Sequence, residues 1–199
     1  MTPTVDDRVL HFEARGLYDG VSLLRDRETG SLWHHITGEC LYGRLAGRKL
    51  PVSNLLHTTV AAALETDPAI AVAISERPVR APNRWAALAA EVPILSDLFR
   101  RTMAREDARR PTMDVGLGVW TDTAARYYPL EEVRVAGNTL FDRFGGRRLV
   151  VSFDRKAHAL AARYSDATGP RGAVERPLQV FTRWYGFALT FPGTDVYRR

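Results

Sequence analysis

Short apolar or alternating stretches recur along the chain and predict β-strands. Val9–Ala14 (VLHFEA), Ser31–Ile36 (SLWHHI) and Arg148–Phe153 (RLVVSF) are of this kind, and glycine or turn residues bound them. The remaining predicted strands are Val21–Arg25, Cys40–Gly43, Lys49–Val52, Ile70–Ile74, Met113–Thr121, Ala125–Tyr128, Ala157–Tyr164 and Asp195–Tyr197. Because tight turns separate several of these strands, we expect antiparallel pairing.

Helical features are confined to a few segments. The first, capped by Ser53 or Asn54, extends to about Thr66. The second is Asn83–Arg105, where apolar residues recur near helical spacing and a proline interrupts the pattern. The third is Pro177–Phe191, where proline suits the first helical turn and Pro-Gly follows the last one.

Two sequence patterns occur twice. D-R-x3-[SA]-L begins at Asp26 and again at Asp154, an offset of 128 (154 − 26). The helical segment HTTVAAALETDPAIAV matches FTRWYGFALTFPGTDV, and Pro68 then aligns with Pro192, an offset of 124 (192 − 68). Two hairpin-then-helix units at nearly constant spacing suggest a duplicated module.

A charged stretch that ends at Pro111 is the best position for a boundary. We predict one domain, 1–199, that can divide into lobes 1–77 and 112–199 joined by the helical segment 83–110. The fold class is α+β: antiparallel and β-rich, with two related hairpin-plus-helix halves joined by that segment.

Composition excludes several classes of protein. Hydrophobic residues make up 45% of the chain and charged residues 26%, which is typical of a globular domain. The 28 Lys and Arg against 23 Asp and Glu give a net charge of +5, but the arginines are scattered, so nucleic-acid binding is not expected. One cysteine, no signal-like start and no long apolar run predict a cytoplasmic protein without a membrane span.

One motif carries a family resemblance. The stretch Asp26–Leu50 (DRETGSLWHHITGECLYGRLAGRKL) resembles the signature of the family catalogued as domain of unknown function (DUF) 3179. Later pieces agree with that family: VGLGV from Val115, YYPL from Tyr127, FDRFGGRRLVV from Phe141, and PGTDVY from Pro192. The resemblance covers about residues 8 to 199.

The resemblance implies chemistry only in part. Many members carry a Cys-Pro-Leu-Cys type segment upstream of the motif, which implies thiol redox or metal chemistry. This sequence holds a single cysteine, Cys40, and no C-x-x-C, so a two-thiol mechanism is not carried over to it. A separate partner chain that supplies such a segment is one hypothesis for how the site is completed.

The residues themselves point to a metal or thiol centre. Cys40 lies in the same short window as His34 and His35, and His57 follows close behind. Thiolate and imidazole ligands suit copper, zinc or iron. Strand alternation places His34 and His35 on opposite faces, so at most one of them is expected to share an ion with Cys40. A strand-to-helix turn after Cys40 can bring His57 close to the same ion.

The leading hypothesis is catalysis in a cleft around the Trp33–Cys40 hairpin. Cys40 is the candidate nucleophile or redox thiol and His35 its candidate base, with His57 as an alternative base. Trp33 and Glu39 are the candidate cofactor-binding residues. The expected activity is that of a metal- or thiol-dependent oxidoreductase acting on a small molecule.

The alternative hypothesis assigns these residues to structure. A lone cysteine is commonly a small core residue, and strand tryptophans such as Trp33 are commonly core as well. The Asp-Arg pairs that begin at Asp26 and Asp154 then cap hairpin turns. On this view the chain is a non-catalytic binding or scaffold protein that retains the family fold.

Overall fold

Short strands make up most of the regular structure in the computed structural model, which describes residues 3–74, 76, 97–165 and 174–199. The strands are β1 Thr4–Val5, β2 Arg8–Val9, β3 Phe12–Tyr18, β4 Val21–Asp26, β5 Leu32–His34, β6 Cys40–Tyr42, β7 Val115–Trp120, β8 Ala125–Pro129, β9 Thr139–Phe144, β10 Arg147–Asp154, β11 Ala159–Tyr164, β12 Leu178–Arg183 and β13 Asp195–Val196. The helices are α1 Val60–Thr66, α2 Asp97–Arg100, α3 Leu130–Val135 and α4 Trp184–Thr190. The fold is therefore α+β and β-rich, as the sequence predicts.

The first part of the chain forms one four-stranded antiparallel sheet in the order β3-β4-β5-β6, with the small β1-β2 ribbon beside it. Its core consists of Leu10, Trp33, Cys40 and Leu50. Each side chain of this core is nearly or fully removed from water, so the core of this sheet contains the thiol.

The second part forms two further sheets. One has the order β12-β7-β8-β13, antiparallel except for the parallel β13–β8 pair, and the other has the order β11-β10-β9. Helix α4 packs on the first of these sheets, and Phe187 fills the space above Gly118 of β7. A Cβ at Gly118 would overlap the Phe187 ring, which explains why glycine stands there.

Two predicted helices begin later than expected. Residues 178–183 form β12 rather than the start of a helix, because Val180, Phe181 and Thr182 have high strand propensity and pair with β7. Helix α1 begins after Thr59, whose hydroxyl accepts the Ala62 N–H at 3.2 Å.

Other differences from the predicted elements are local. The predicted strands 49–52 and 70–74 are not formed, and helix α3 was not predicted from the sequence. Of the predicted helix Asn83–Arg105, residues 83–96 lie outside the described residues, and Asp97–Arg100 is helical. No helix in the described ranges is long and apolar enough to cross a membrane.

Direct contacts join the two parts of the chain. The Asn54 amide donates to the Pro177 carbonyl at 2.7 Å, and its oxygen accepts the Gln179 N–H at 2.9 Å. This pairing holds residues 53–57 alongside β12. The division into lobes 1–77 and 112–199 stays a prediction.

Candidate functional site

The family motif builds a buried hydrogen-bond network around Asp26. The Asp26 side chain is 0% exposed, and its carboxylate accepts from the Trp33 indole at 2.8 Å and the Thr29 hydroxyl at 2.9 Å. Burial acts to raise the pKa of Asp26, but hydrogen bonds from Trp33 and Thr29 outweigh it and hold the pKa below its usual value. The Thr29 backbone N–H also donates to this carboxylate, so Asp26 caps the turn after β4.

Ser31 extends this network to the next turn. Its hydroxyl lies 2.6 Å from that of Thr29 and accepts the Leu45 N–H at 3.3 Å. A Cβ at Gly43 would come within 2.8 Å of the Ser31 backbone. Only glycine therefore fits at this position. The residues of the D-R-E-T-G-S-L-W stretch that make these bonds therefore position the hairpin.

Cys40 lies inside the first core, 1% exposed. Its thiol packs with Leu10, Trp33 and Leu50 and makes a 3.5 Å hydrogen bond to the Tyr42 carbonyl. Burial raises the pKa of Cys40, which disfavours the thiolate that a nucleophile or a metal ligand needs.

His34 is buried, and its ring faces helix α4 in the second part of the chain. Its Nδ1 accepts the Ile36 and Thr37 N–H groups at 3.3 Å each, and its Nε2 lies 3.5 Å from the Thr190 hydroxyl of α4. Burial, helped by neighbouring His35, lowers the pKa of His34 to about 4. His34 is thus a neutral contact between the first sheet and α4.

His35 does not follow the strand alternation predicted for it. Strand β5 ends at His34, and the two rings lie nearly parallel, 6° apart in plane with centroids at 5.9 Å. His35 is exposed, and its Nδ1 donates to the Ser22 carbonyl at 2.7 Å. This bond leaves Nε2 as the free acceptor of the ring.

His35 and His57 line one cavity of about 310 Å³. A second cavity of about 190 Å³ adjoins it, because both are lined by Leu55, Leu56, His57, Gln179 and Phe181. We call the two together the His57 cleft. The His57 ring meets the Phe181 ring edge-on, with centroids 5.5 Å apart.

The walls of the His57 cleft come from distant parts of the chain. Trp120 and Val180 contribute to the larger cavity, and Leu117, Leu160 and Arg176 to the smaller one. Sequence reasoning did not find these residues. A local signal was the alternation of Leu178, Gln179 and Val180, which predicts a strand better than the helix assigned there.

The predicted site residues therefore fall into separate places. His35 and His57 share the cleft, whereas Cys40 and Trp33 lie in the first core and line neither cavity. Glu39 is exposed, and its backbone carbonyl accepts from His34 while its side chain lines neither cavity. Among the described residues, no three His, Cys, Asp or Glu side chains form a group that could hold a metal ion.

The fold and the cleft together define a β-rich α+β protein with an aromatic cleft of small-molecule size. The chain belongs to the family described as Protein of unknown function (DUF3179), whose model matches residues 1–185. This match confirms the resemblance drawn from the motif. No curated protein and no solved structure matches the chain.

Proposed function

We propose that the chain is a non-catalytic binding protein that holds a small, mainly apolar molecule in the His57 cleft. The observation that carries the proposal is the lining of the cleft by Trp120, Phe181 and leucines around two imidazoles. Apolar walls with a few polar groups are typical of ligand sites, and 310 Å³ lies at the small end of their volumes.

The positions of the reactive groups favour binding over catalysis. Nucleophilic catalysis needs a nucleophile and a base within hydrogen-bond reach, with a third group that orients the base. The Cys40 thiol packs in another core, and no described residue lining the cleft is a carboxylate that could orient His35 or His57. The metal-dependent or thiol-dependent oxidoreductase stays a prediction without support from this geometry.

We also infer that the cleft lies between two related hairpin-plus-helix halves. Asp26 accepts the N–H of Thr29, and Asp154 accepts that of Ala157, the third residue on in each case. The next residue has a positive φ in both turns, +71° at Gly30 and +52° at His158.

The helices give independent support for this relation. Helices α1 and α4 each have seven residues, at an offset of 124 (184 − 60). Thr66 and Thr190 end them, and each hydroxyl donates to the carbonyl four residues back, at 2.9 and 2.7 Å. At the same offset (181 − 57), His57 corresponds to Phe181, with which it is in ring contact. The cleft is then an interface between equivalent segments.

Nuclear magnetic resonance titration with naphthalene-2-carboxamide tests the binding proposal. We expect the backbone amide signals of His57, Gln179 and Phe181 to shift and those of the β1–β2 ribbon to stay in place. Ser53→Trp fills the larger cavity from its exposed rim and should abolish the shifts, because Ser53 lines that cavity. Thr123→Trp, on an exposed loop outside the cleft, is the matched control. Shifts that persist in Ser53→Trp refute the proposal. It is also refuted if neither this probe nor naphthalene-2-carboxylate causes shifts in the wild type.

Three further expectations stay predictions alongside this one. They are a cytoplasmic location, a transition metal held by Cys40 with His34, His35 or His57, and a partner chain that supplies a Cys-Pro-Leu-Cys type segment. Metal analysis of untagged protein addresses the second of them. Purification as a hetero-complex addresses the third.

A further inference from the structure

The charge of the His57 cleft is one-sided. Arg176 and His57 line the smaller cavity, and His35 and His57 line the larger one. None of the described residues that line either cavity is Asp or Glu. A ligand in this cleft therefore meets one arginine, two imidazoles and no described carboxylate, which favours an anionic ligand.

The guanidinium of Arg176 is available for such a ligand. Within the described ranges, neither an ion pair nor a side-chain hydrogen bond involves Arg176, whereas Arg110 and Arg126 pair with Asp114 and Asp142. The adjacent carboxylate, Glu175, is bound by Arg147 at 3.0 Å. The charge of Arg176 is thus not cancelled by its chain neighbour.

The walls beside Arg176 are apolar. Leu117 and Leu160 line the smaller cavity together with Phe181, whose ring is shared with the larger cavity. A flat apolar body can lie against Phe181 while one end of the molecule reaches Arg176, an exposed residue that lines the smaller cavity. Arg presents parallel N–H donors that match the two oxygens of a carboxylate.

We propose that the ligand of the His57 cleft is a small monocarboxylate with a planar apolar body, and that Arg176 binds its carboxylate. This inference rests on the proposed binding function and specifies its ligand class. Phe181 and the leucines then provide affinity for the body, and Arg176 provides selectivity for the anion over a neutral molecule of the same shape.

Isothermal titration calorimetry with a matched pair of ligands tests the inference. The probes are naphthalene-2-carboxylate and naphthalene-2-carboxamide, which share a body and differ in charge. We expect the wild-type protein to bind the carboxylate about tenfold more tightly than the carboxamide. Arg176→Gln should remove that preference, so that the carboxylate binds no more tightly than the carboxamide. Arg155→Gln, which changes an exposed arginine outside the cleft, should retain the preference.

The outcomes separate the ligand class from the binding function. If the wild type binds the carboxamide as tightly as the carboxylate, the inference is wrong and the binding function stands. A preference that survives in Arg176→Gln removes the role of Arg176. If neither probe binds and neither shifts the cleft signals, the binding function itself fails.

Discussion

The carboxylate of Asp26 accepts a 2.8 Å hydrogen bond from the indole nitrogen of Trp33, and neither side chain is exposed to solvent. This pair joins the first and the last residue of the D-R-E-T-G-S-L-W stretch. The most specific motif of the sequence therefore ends in a buried structural bond. The side chains of Asp26, Thr29 and Trp33 bond to one another, and none of the three lines the His57 cleft.

Removal of the Asp26 carboxylate should destabilise the fold strongly. Asp26→Ala leaves the Trp33 indole and the Thr29 donors without a partner in a dry site, at a cost of about 3 kcal/mol in the free energy of unfolding. Asp154→Ala is the matched control, because Asp154 caps the corresponding turn but is exposed, and about 1 kcal/mol is expected there. Urea unfolding measures both. Equal losses would contradict the role of the Asp26–Trp33 bond.

Protonation of His34 should weaken the contact between the first sheet and α4. Its folded pKa of about 4 lies below the ordinary value of 6.5, so the unfolded chain takes up the proton first as the pH falls. His34 therefore contributes full stability above pH 6.5 and loses about 2.5 kcal/mol of it by pH 4.5.

Urea unfolding at pH 7.5 and pH 4.5 measures this loss. His34→Asn keeps an acceptor near the Nδ1 position and cannot take up a proton, so its stability should fall by about 2.5 kcal/mol less than that of the wild type. His35→Asn keeps the buried His34, so it should retain most of the wild-type pH dependence. A pH dependence that is the same in all three proteins speaks against a buried neutral His34.

Sequence reasoning located the hairpin of Asp26–His34 because its signals are local. An Asp before the turn, a glycine able to adopt positive φ and flanking apolar residues determine that turn together. The cleft had no comparable signal, because Trp120, His57 and Phe181 are far apart in sequence. Sheet pairing brings β7 and β12 together, and the Asn54 side chain holds residues 53–57 beside β12. Residue type alone made Cys40 the candidate reactive group, but burial of its side chain disfavours the thiolate.

The packing of α4 on β7 leaves no space at Gly118. Gly118→Ala places a methyl group in the Phe187 ring and should cost about 2 to 3 kcal/mol of stability. Phe187→Leu in the same chain should recover part of that loss, which gives a favourable coupling in a double-mutant cycle. Gly186→Ala is the control: its Cβ meets Val21 at 3.4 Å, an ordinary contact, and alanine favours the helix. Unfolding free energies of the four variants test the close approach.

The accessibility of Cys40 separates the two classes of function first considered for this chain. The Cys40 thiol is 1% exposed and has a raised pKa. In the native protein it should react with 5,5′-dithiobis-(2-nitrobenzoic acid) only as fast as local unfolding exposes it, whereas in the urea-unfolded protein it should react at once. Rapid labelling of the native protein would instead restore Cys40 as a candidate nucleophile. Cys40→Ala adds a second measurement, since loss of a core side chain should lower stability by about 1 kcal/mol. If ligand binding in the His57 cleft is unchanged in this variant, the thiol serves the core and the cleft works without it.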